Sequence, residues 1–285
     1  MTTGVDPLVV LVAYRCDPDL EHALATLGSE LPAVVVDNEA NEQTRKLSER
    51  AGAHYVAAER NLGFAAGVNL GLAEAWDARR DVLLLNPDAR ISAAEVRALQ
   101  QALHAVPRRA AVGPRLVDED GRPQRADWPL PSPGQVWTDA LGLSKRWRGA
   151  RFVTGAVLLL NQDALLAIGR LDERYFLYAE EADWQLRALR AGWHVAVVDD
   201  VTTVHAGSGS SHDEPLREQL FHASSETFAR RWYGPRGWAV VRAGSVVAAA
   251  RRSLASDPHA RAAARRVLSL YLRGPARSAP DWARP

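Results

Sequence analysis

The sequence predicts an α/β fold with a mostly parallel sheet, and three observations carry that expectation. Short apolar runs in the first third of the chain are each bounded by polar or turn-forming residues. The stretches between them place apolar residues at helical spacing behind Asp or Asn entrances. The 285 residues are 47% apolar and 24% charged, an ordinary globular composition that excludes collagen-like, disordered and disulfide-stapled chains.

Taken in order, Leu8–Tyr14, Ala33–Asn38, His54–Ala58 and Asp81–Asn86 read as strands buried on both faces, because their apolar residues run on without polar alternation. Asp17–Glu30, Asn41–Gly52 and Phe64–Arg80 read as the helices between them. A strand–helix series of this kind crosses over right-handedly and opens its ligand crevice at the carboxyl ends of the strands. Polar residues at those ends are the first candidates for chemistry. Further on, the Pro- and Trp-rich Arg122–Arg151 reads as a surface segment or lid, Phe152–Asn161 as a strand, Glu180–Ala191 as a helix and His194–Val204 as a strand. The Gly/Ser stretch Ala206–Ser211 is flexible by composition. From Arg231 onward eleven arginines, among them Arg242, Arg251, Arg252, Arg261, Arg265 and Arg266, face only Asp257 and Asp281. That makes 231–285 a basic amphipathic helical appendage.

Thirty-five basic residues against thirty-four acidic ones leave a net charge of +1, so nucleic acid is not the expected partner. The single cysteine, Cys16, forms neither an intrachain disulfide nor a multi-cysteine metal cage and suits a reducing compartment. The residues before Leu8 carry no base and no small-residue cleavage signature, and no apolar run approaches the ~20 residues that span a bilayer. The expectation is a cytoplasmic protein, free or held peripherally at the inner face of the cell membrane.

Four clusters fall at the strand ends. Val36-Asp37-Asn38 closes the second strand with an acid able to accept hydrogen bonds from a nucleobase imide or a ribose hydroxyl, or to cap the next helix. Arg60–Gly71 sets Gly63, Gly67 and Gly71 with Asn61 and Asn69 at a helix entrance, where small residues let a ligand approach or let the helix pack closely on the sheet. The glycine spacing is not Gly-x-Gly-x-x-Gly, which disfavours a dehydrogenase. Leu83–Arg90 ends an apolar strand in Asn86-Pro87-Asp88, either a common turn or a carboxylate that holds Mg2+ or Mn2+ together with diphosphate oxygens. Phe176–Arg187 brings Glu180, Glu181 and Asp183 to a helix start. Clustered carboxylates raise one another's pKa, which suits a general base; equally, acids there favour the helix dipole, and Asp183 with Arg187 is an ordinary i, i+4 pair. His205 ends the last strand, where an imidazole completes a metal site or is merely solvated.

In order and spacing these pieces resemble the inverting family 2 glycosyltransferases of the GT-A fold, especially the bacterial rhamnosyltransferase-like branch. The resemblance covers roughly 7–230 and rests on Val-Asp-Asn (36–38), Asn-Leu-Gly-Phe-Ala-Ala-Gly-Val-Asn (61–69), Leu-Asn-Pro-Asp (85–88), Thr-Gly-Ala (154–156), Phe-Leu-Tyr-Ala-Glu-Glu-Ala-Asp (176–183) and Val-His (204–205). It implies a Rossmann-like sheet flanked by helices in a catalytic domain over 1–230, with a nucleotide-sugar half about 1–120, an acceptor half about 121–230, and the appendage 231–285. By the same resemblance Ala13, Tyr14 and Arg15 line the base pocket, Asp37 contacts the nucleotide, and Asn61, Gly67, Asn69 and Asn86 belong to the nucleotide-sugar site. Asp88 and His205 hold Mg2+ or Mn2+, and Glu181 is the catalytic base with Glu180 and Asp183 beside it. The pair here is Glu-Glu where the family has Glu-Asp or Asp-Asp, so the choice between Glu180 and Glu181 stays open.

The implied reaction moves a sugar, L-rhamnose from dTDP-rhamnose or else a UDP-linked sugar, to an acceptor hydroxyl on a glycan, including one carried on a polyprenyl diphosphate. Trp128–Trp137 is an expected acceptor wall or lid. The basic tail suits an anionic membrane surface, or a helix pair that packs on the catalytic domain or mediates a homodimer. Two alternatives remain at this point. One is a catalytically silent nucleotide-sugar binding protein. The other is a nucleotidyltransferase, for which Arg15-Cys-Asp-Pro-Asp supplies no basic Gly-rich loop.

Overall fold

The structure, a computed structural model, describes residues 5–76, 79–207 and 213–283. The chain divides into two compact units. The first comprises Met1–Trp128, Phe152–Glu173 and Glu180–His212; the second comprises Pro129–Arg151, Arg174–Ala179 and Asp213–Pro285.

In the first unit β1 (Leu8–Ala13), α1 (Asp17–Leu27), β2 (Ala33–Asp37), α2 (Glu42–Arg50), β3 (His54–Ala57), α3 (Gly63–Trp76) and β4 (Val82–Leu85) alternate as predicted. They are followed by β5 (Ala89–Arg90), α4 (Ala93–Ala105), β6 (Arg109–Val117), β7 (Pro123–Gln124) and β8 (Asp127–Pro129). After α5 (Pro133–Ala140) come β9 (Arg151–Val153), β10 (Val157–Leu160), α6 (Gln162–Ile168), α7 (Glu180–Arg190) and β11 (His194–His205). The main sheet runs β3-β2-β1-β4-β10-β6-β11-β5, with β7 on the side of β6, while β8 and β9 pair with each other.

The strands β3, β2, β1 and β4 are parallel, which suits helices on both faces. Alternate residues of β1 feed two cores. Val9, Leu11 and Ala13 share one with Leu20, Leu24 and Leu27 of α1 and Val96, Leu99 and Leu103 of α4. Leu8 and Val10 share the other with Val68 and Leu72 of α3, Leu165 of α6 and Trp184 of α7. Each fully buried side chain of this size contributes roughly 1.5–3 kcal/mol, so an apolar run without alternation is what this position in the sheet demands. β3 differs from expectation: it is the edge strand, and His54 and Ala57 are exposed because nothing among the described residues pairs beyond it. Beyond β4 the sheet is mixed. The stretch expected as one strand, Phe152–Asn161, breaks at Thr154-Gly155-Ala156, and β10 then runs antiparallel to both β4 and β6. Cys16 is buried, and burial pushes its thiol up to about 12, so it packs as a small hydrophobe. Ala206 and Gly207 leave β11; the rest of the expected flexible Gly/Ser stretch, 208–211, lies outside the described residues.

The second unit gathers α5 with α8 (Glu214–Arg252), α9 (Pro258–Arg273) and α10 (Pro275–Ser278). α8 kinks at Gly234, whose φ of 67° is left-handed, just ahead of Pro235. Ala229, Trp238, Val241 and Tyr271 form its core, with Val136 and Val267 packed against them. The boundary at 230/231 falls inside α8. From Pro129 to Arg151 the Pro/Trp segment packs with the C-terminal helices. The indole N–H of Trp137 donates to Val240 O at 3.2 Å and the Tyr233 hydroxyl to Pro131 O at 2.9 Å. Gly244 permits the approach, because a Cβ there would lie 2.9 Å from Val136 Cγ1. Several of the basic-tail arginines are fasteners within this unit: Arg242 donates to Tyr271 O at 2.7 Å and Arg252 reaches Asp139 at 3.3 Å. Among the described residues no helix is long and apolar enough to cross a membrane.

Candidate active site

The turns that leave β1, β2 and β4 lie at one edge of the first unit. Ala13 sits opposite Asp37 in register, and the Asn38 N–H donates to Ala13 O at 2.9 Å. Arg15 takes a left-handed φ of 51°, its guanidinium lies 5.1 Å from the Tyr14 ring centre, and its Nε donates to Glu39 Oε1 at 3.2 Å. Ala13, Tyr14 and Arg15 therefore stand beside the Asp37 turn. Asp37 itself is buried. Its Oδ1 accepts from the Glu39 N–H at 2.9 Å, and its Oδ2 accepts from the Asn41 N–H at 2.6 Å and the Tyr55 hydroxyl at 2.9 Å. These bonds lock the turn ahead of α2, whose N-cap is Asn41, and leave the carboxylate one acceptor position.

The glycine and asparagine cluster is largely architectural. Asn61 Oδ1 accepts from the Gly63 N–H at 3.0 Å at the α3 entrance. Asn38 staples the same loop by donating to Gly63 O at 3.0 Å. A Cβ at Gly67 would lie 2.8 Å from Val12 Cγ1, and one at Gly71 closer still to Val10 Cγ1. Both glycines thus bring α3 down onto β1. Asn69 is 4% exposed, its Nδ2 donates to Leu171 O at 2.9 Å and Glu173 Oε1 at 2.8 Å, and its Oδ1 accepts from the Leu171 N–H at 3.1 Å. An amide so engaged ties the segment after α6 to α3.

Asp88 and His205 are brought together by the sheet. β5 pairs antiparallel with β11, His205 lying opposite Ala89, and the Ala206 N–H donates to Asp88 O at 2.9 Å. Gln124, unsuspected from the sequence, then orients the ring. Its Nε2 donates to His205 O at 2.9 Å, so its Oε1 is the atom that meets His205 Nδ1 at 3.0 Å, and Nδ1 must carry the proton. The lone pair of Nε2 consequently faces Asp88 Oδ1 at 3.4 Å. Two acceptors at that separation call for a cation between them, either a proton on Nε2 or a metal ion. Among the described residues no group of three or more His, Cys, Asp or Glu side chains is placed to hold a metal. A carboxylate and an oriented imidazole nevertheless fit a divalent ion whose other ligands are substrate phosphates and water.

The acids of α7 have three different fates. Asp183 is fully buried and its Oδ2 accepts from Arg187 Nε at 3.0 Å, while Arg187 also donates to Ile168 O and Arg170 O at 2.7 Å each. These bonds make the Asp183–Arg187 pair a tie between α7 and the segment after α6. Glu180 is 4% exposed and Glu181 half-buried, and the Oε2 of each lacks a hydrogen-bond partner. Burial raises both carboxyl groups, and the neighbouring Glu181 charge raises Glu180 further. Glu181 rests on Gly155, its Cγ 3.7 Å from where a Cβ would be. The Gly155 segment is held in turn by Gln185, whose Oε1 accepts from the Val153 N–H at 2.8 Å and whose Nε2 donates to Val153 O at 2.7 Å. Next to Gly155, Ala156 O accepts from the Asn86 N–H at 2.9 Å. Glu181 and the Asn86-Pro87-Asp88 turn thus share the carboxyl end of β4. The chain reaches α7 through Tyr178 and Ala179, both left-handed with φ of 69° and 71°, a conformation costing on the order of 1–3 kcal/mol for each such residue.

No protein-family model matches the chain. It is 27% identical over 268 residues to an N-acetylglucosaminyl-diphospho-decaprenol L-rhamnosyltransferase of Mycobacterium tuberculosis, covering 81% of this chain and 87% of that one. It is 24% identical over 236 residues to the low-salt glycan biosynthesis hexosyltransferase Agl10 of Haloferax volcanii, covering 79% and 73%. Among solved structures, glucosyl-3-phosphoglycerate synthase of Mycobacterium tuberculosis in complex with Mn2+, uridine diphosphate and phosphoglyceric acid aligns with a TM-score of 0.56 at 15% identity, covering 82% of this chain and 81% of that one. The chain is a glycosyltransferase of the GT-A fold. The likeness to family 2 and its rhamnosyltransferase-like branch, carried in the sequence by six short motifs, stands beside a relative that is itself a rhamnosyltransferase.

Proposed function

We propose that this glycosyltransferase moves L-rhamnose from dTDP-rhamnose, with inversion, to a hydroxyl of a polyprenyl-diphosphate-linked or other cell-envelope glycan, working peripherally at the inner face of the membrane. The sugar and acceptor follow the decaprenol-linked relative. The mechanism rests on one observation: Glu181 packs on Gly155, and the adjoining Ala156 carbonyl is bonded to Asn86, two residues from Asp88. Base and diphosphate site then share one crevice.

Asp88 and the Nε2 of His205, aimed by Gln124, would hold Mg2+ or Mn2+, which when bound supplies positive charge to the departing diphosphate. Ala13, Tyr14, Arg15 and the remaining acceptor position of Asp37 meet the base and ribose, with Asn61 and Asn86 in the turns alongside. Glu181, the more exposed of the pair, takes the acceptor proton on its carboxylate as the hydroxyl attacks the anomeric carbon from the face opposite the leaving group. Burial and the charge of Glu181 favour the protonated form of Glu180, so the pair presents one negative charge, on a carboxylate made more basic by its surroundings. One carboxylate suffices, unlike the two of glycoside hydrolysis.

Calorimetric titration of dTDP, UDP and GDP with and without Mn2+ tests the reading. dTDP is expected to bind most tightly, with Mn2+ enhancing it and Asp88→Ala abolishing the enhancement. Tighter UDP binding would replace the donor, and full enhancement in the variant would remove Asp88 from the site. Glu181→Gln should keep donor binding while sugar transfer falls by about 10²–10⁴-fold. Unchanged turnover would leave a different base, and no measurable transfer by the wild type would leave a silent nucleotide-sugar binding protein. Release of pyrophosphate instead of nucleoside diphosphate would mark a nucleotidyltransferase.

A further inference from the structure

A groove of about 750 Å³ opens within the second unit between the start of α8 and the length of α9. Arg261, Arg265, Arg266 and Arg273 line it, and the acid on its wall, Glu218, already pairs with Arg266 at 3.2 Å. Arg261 commits one N–H to Ala255 O at 3.3 Å and Arg273 one to Ser269 O at 3.4 Å. The remaining N–H groups of these forks suit the oxygens of phosphate, which guanidinium binds in pairs. The lining holds no aromatic ring on which a nucleobase would stack.

Apolar neighbours decide what kind of phosphate fits. At 3.6 residues per turn Arg261, Arg265 and Leu272 fall on one stripe of α9, and Leu272 is 61% exposed. Leu254, in the turn ahead of α9, is 83% exposed. Leucines beside guanidinium groups match a membrane interface, where the apolar side chain enters the acyl boundary and the charge meets headgroup phosphates. We infer that this groove seats the phosphate groups of anionic lipids and holds the enzyme on a membrane surface. The inference deepens the proposed function, resting on its lipid-borne acceptor, yet binding is read without turnover, so either can fail alone.

The full chain is sedimented with vesicles of phosphatidylcholine alone and of phosphatidylcholine mixed with phosphatidylglycerol. Binding is expected to the mixed vesicles only, and to weaken as salt screens the charges. R261Q/R265Q/R273Q should lose on the order of 100-fold in affinity, roughly fivefold per charge removed. R261K/R265K/R273K should retain most of it, and Leu272→Ser should weaken it further. Should the triple Gln variant melt below the wild type, R265Q is read in its place, since the Arg265 side chain makes no hydrogen bond among the described residues. Equal binding to both vesicles, or wild-type binding by the Gln variants, would overturn the inference. So would arginine-dependent binding of inorganic pyrophosphate or of an RNA oligomer without vesicle binding, either of which gives the groove another ligand. dTDP binding measured on the same samples should be unchanged, which separates this site from the donor site.

Discussion

Gln124 shows how a side chain acts through a neighbour. Its amide is oriented by the His205 carbonyl, and that orientation alone dictates which ring nitrogen keeps the proton. Gln124→Leu removes both bonds and frees the ring to adopt the other tautomer. Mn2+ enhancement of dTDP binding is expected to fall about 10–100-fold, the usual cost of losing such an outer partner, while metal-free dTDP binding stays the same. Calorimetry reads both, and an undiminished enhancement would show that the ring is aimed by something else. No sequence signal marks this residue, because the contact joins positions 81 residues apart. Asn69 teaches the converse. Its place in a motif suggested a ligand contact, and only the carbonyl of Leu171 and the carboxylate of Glu173 reveal it as a tie.

At the scale of elements, α3 sits on β1 through glycines, and Gly71→Ala sets two magnitudes against each other. The helix gains about 1 kcal/mol in propensity, but the new methyl drives into Val10, which is 1% exposed and cannot withdraw, at a cost of roughly 1–3 kcal/mol. A lower melting temperature is expected, and a higher one would show that β1 yields. The acids opening α7 carry a pH signature. Glu180 is raised well above its ordinary 4.5 by burial and by Glu181, so between that value and the raised one the folded state binds more protons than the unfolded state. Stability therefore falls as pH rises through this window. Glu180→Gln should melt higher than the wild type at neutral pH, with the gain vanishing below the ordinary carboxyl range. A gain that persists in acid would assign it to packing instead. Element signals were unevenly legible. α4 announces itself in Ser92-x-x-Glu95, a capping box in which the Ser92 N–H donates to Glu95 Oε2 at 2.7 Å. The break at Thr154–Ala156 has no such mark, being imposed by the pairing of β10.

For the molecule as a whole, the discontinuity of the second unit matters most. A chain ending after residue 230, the boundary suggested by charge, would cut α8 and remove the partners of Pro131, Val136 and Trp137. That fragment is expected to aggregate or to show protease-sensitive sites within 129–151, whereas the full chain resists at the same protease concentration. Equal resistance would mean that the segment folds without its helices.

Local pattern was enough to determine the alternation of β1 to β4 with their helices, the carboxyl-end location of Asp37 and Asp88, and the acid pair of α7, since each depends on neighbours within a few residues. Tertiary structure alone decided which polar groups are committed to the fold, that Asp88 meets His205 through the β5–β11 pairing, that Gly155 supports Glu181, and that Pro129–Arg151 belongs with the C-terminal helices. Those outcomes join residues tens to more than a hundred positions apart, and burial at such distances follows from which faces remain uncovered after the local elements have formed.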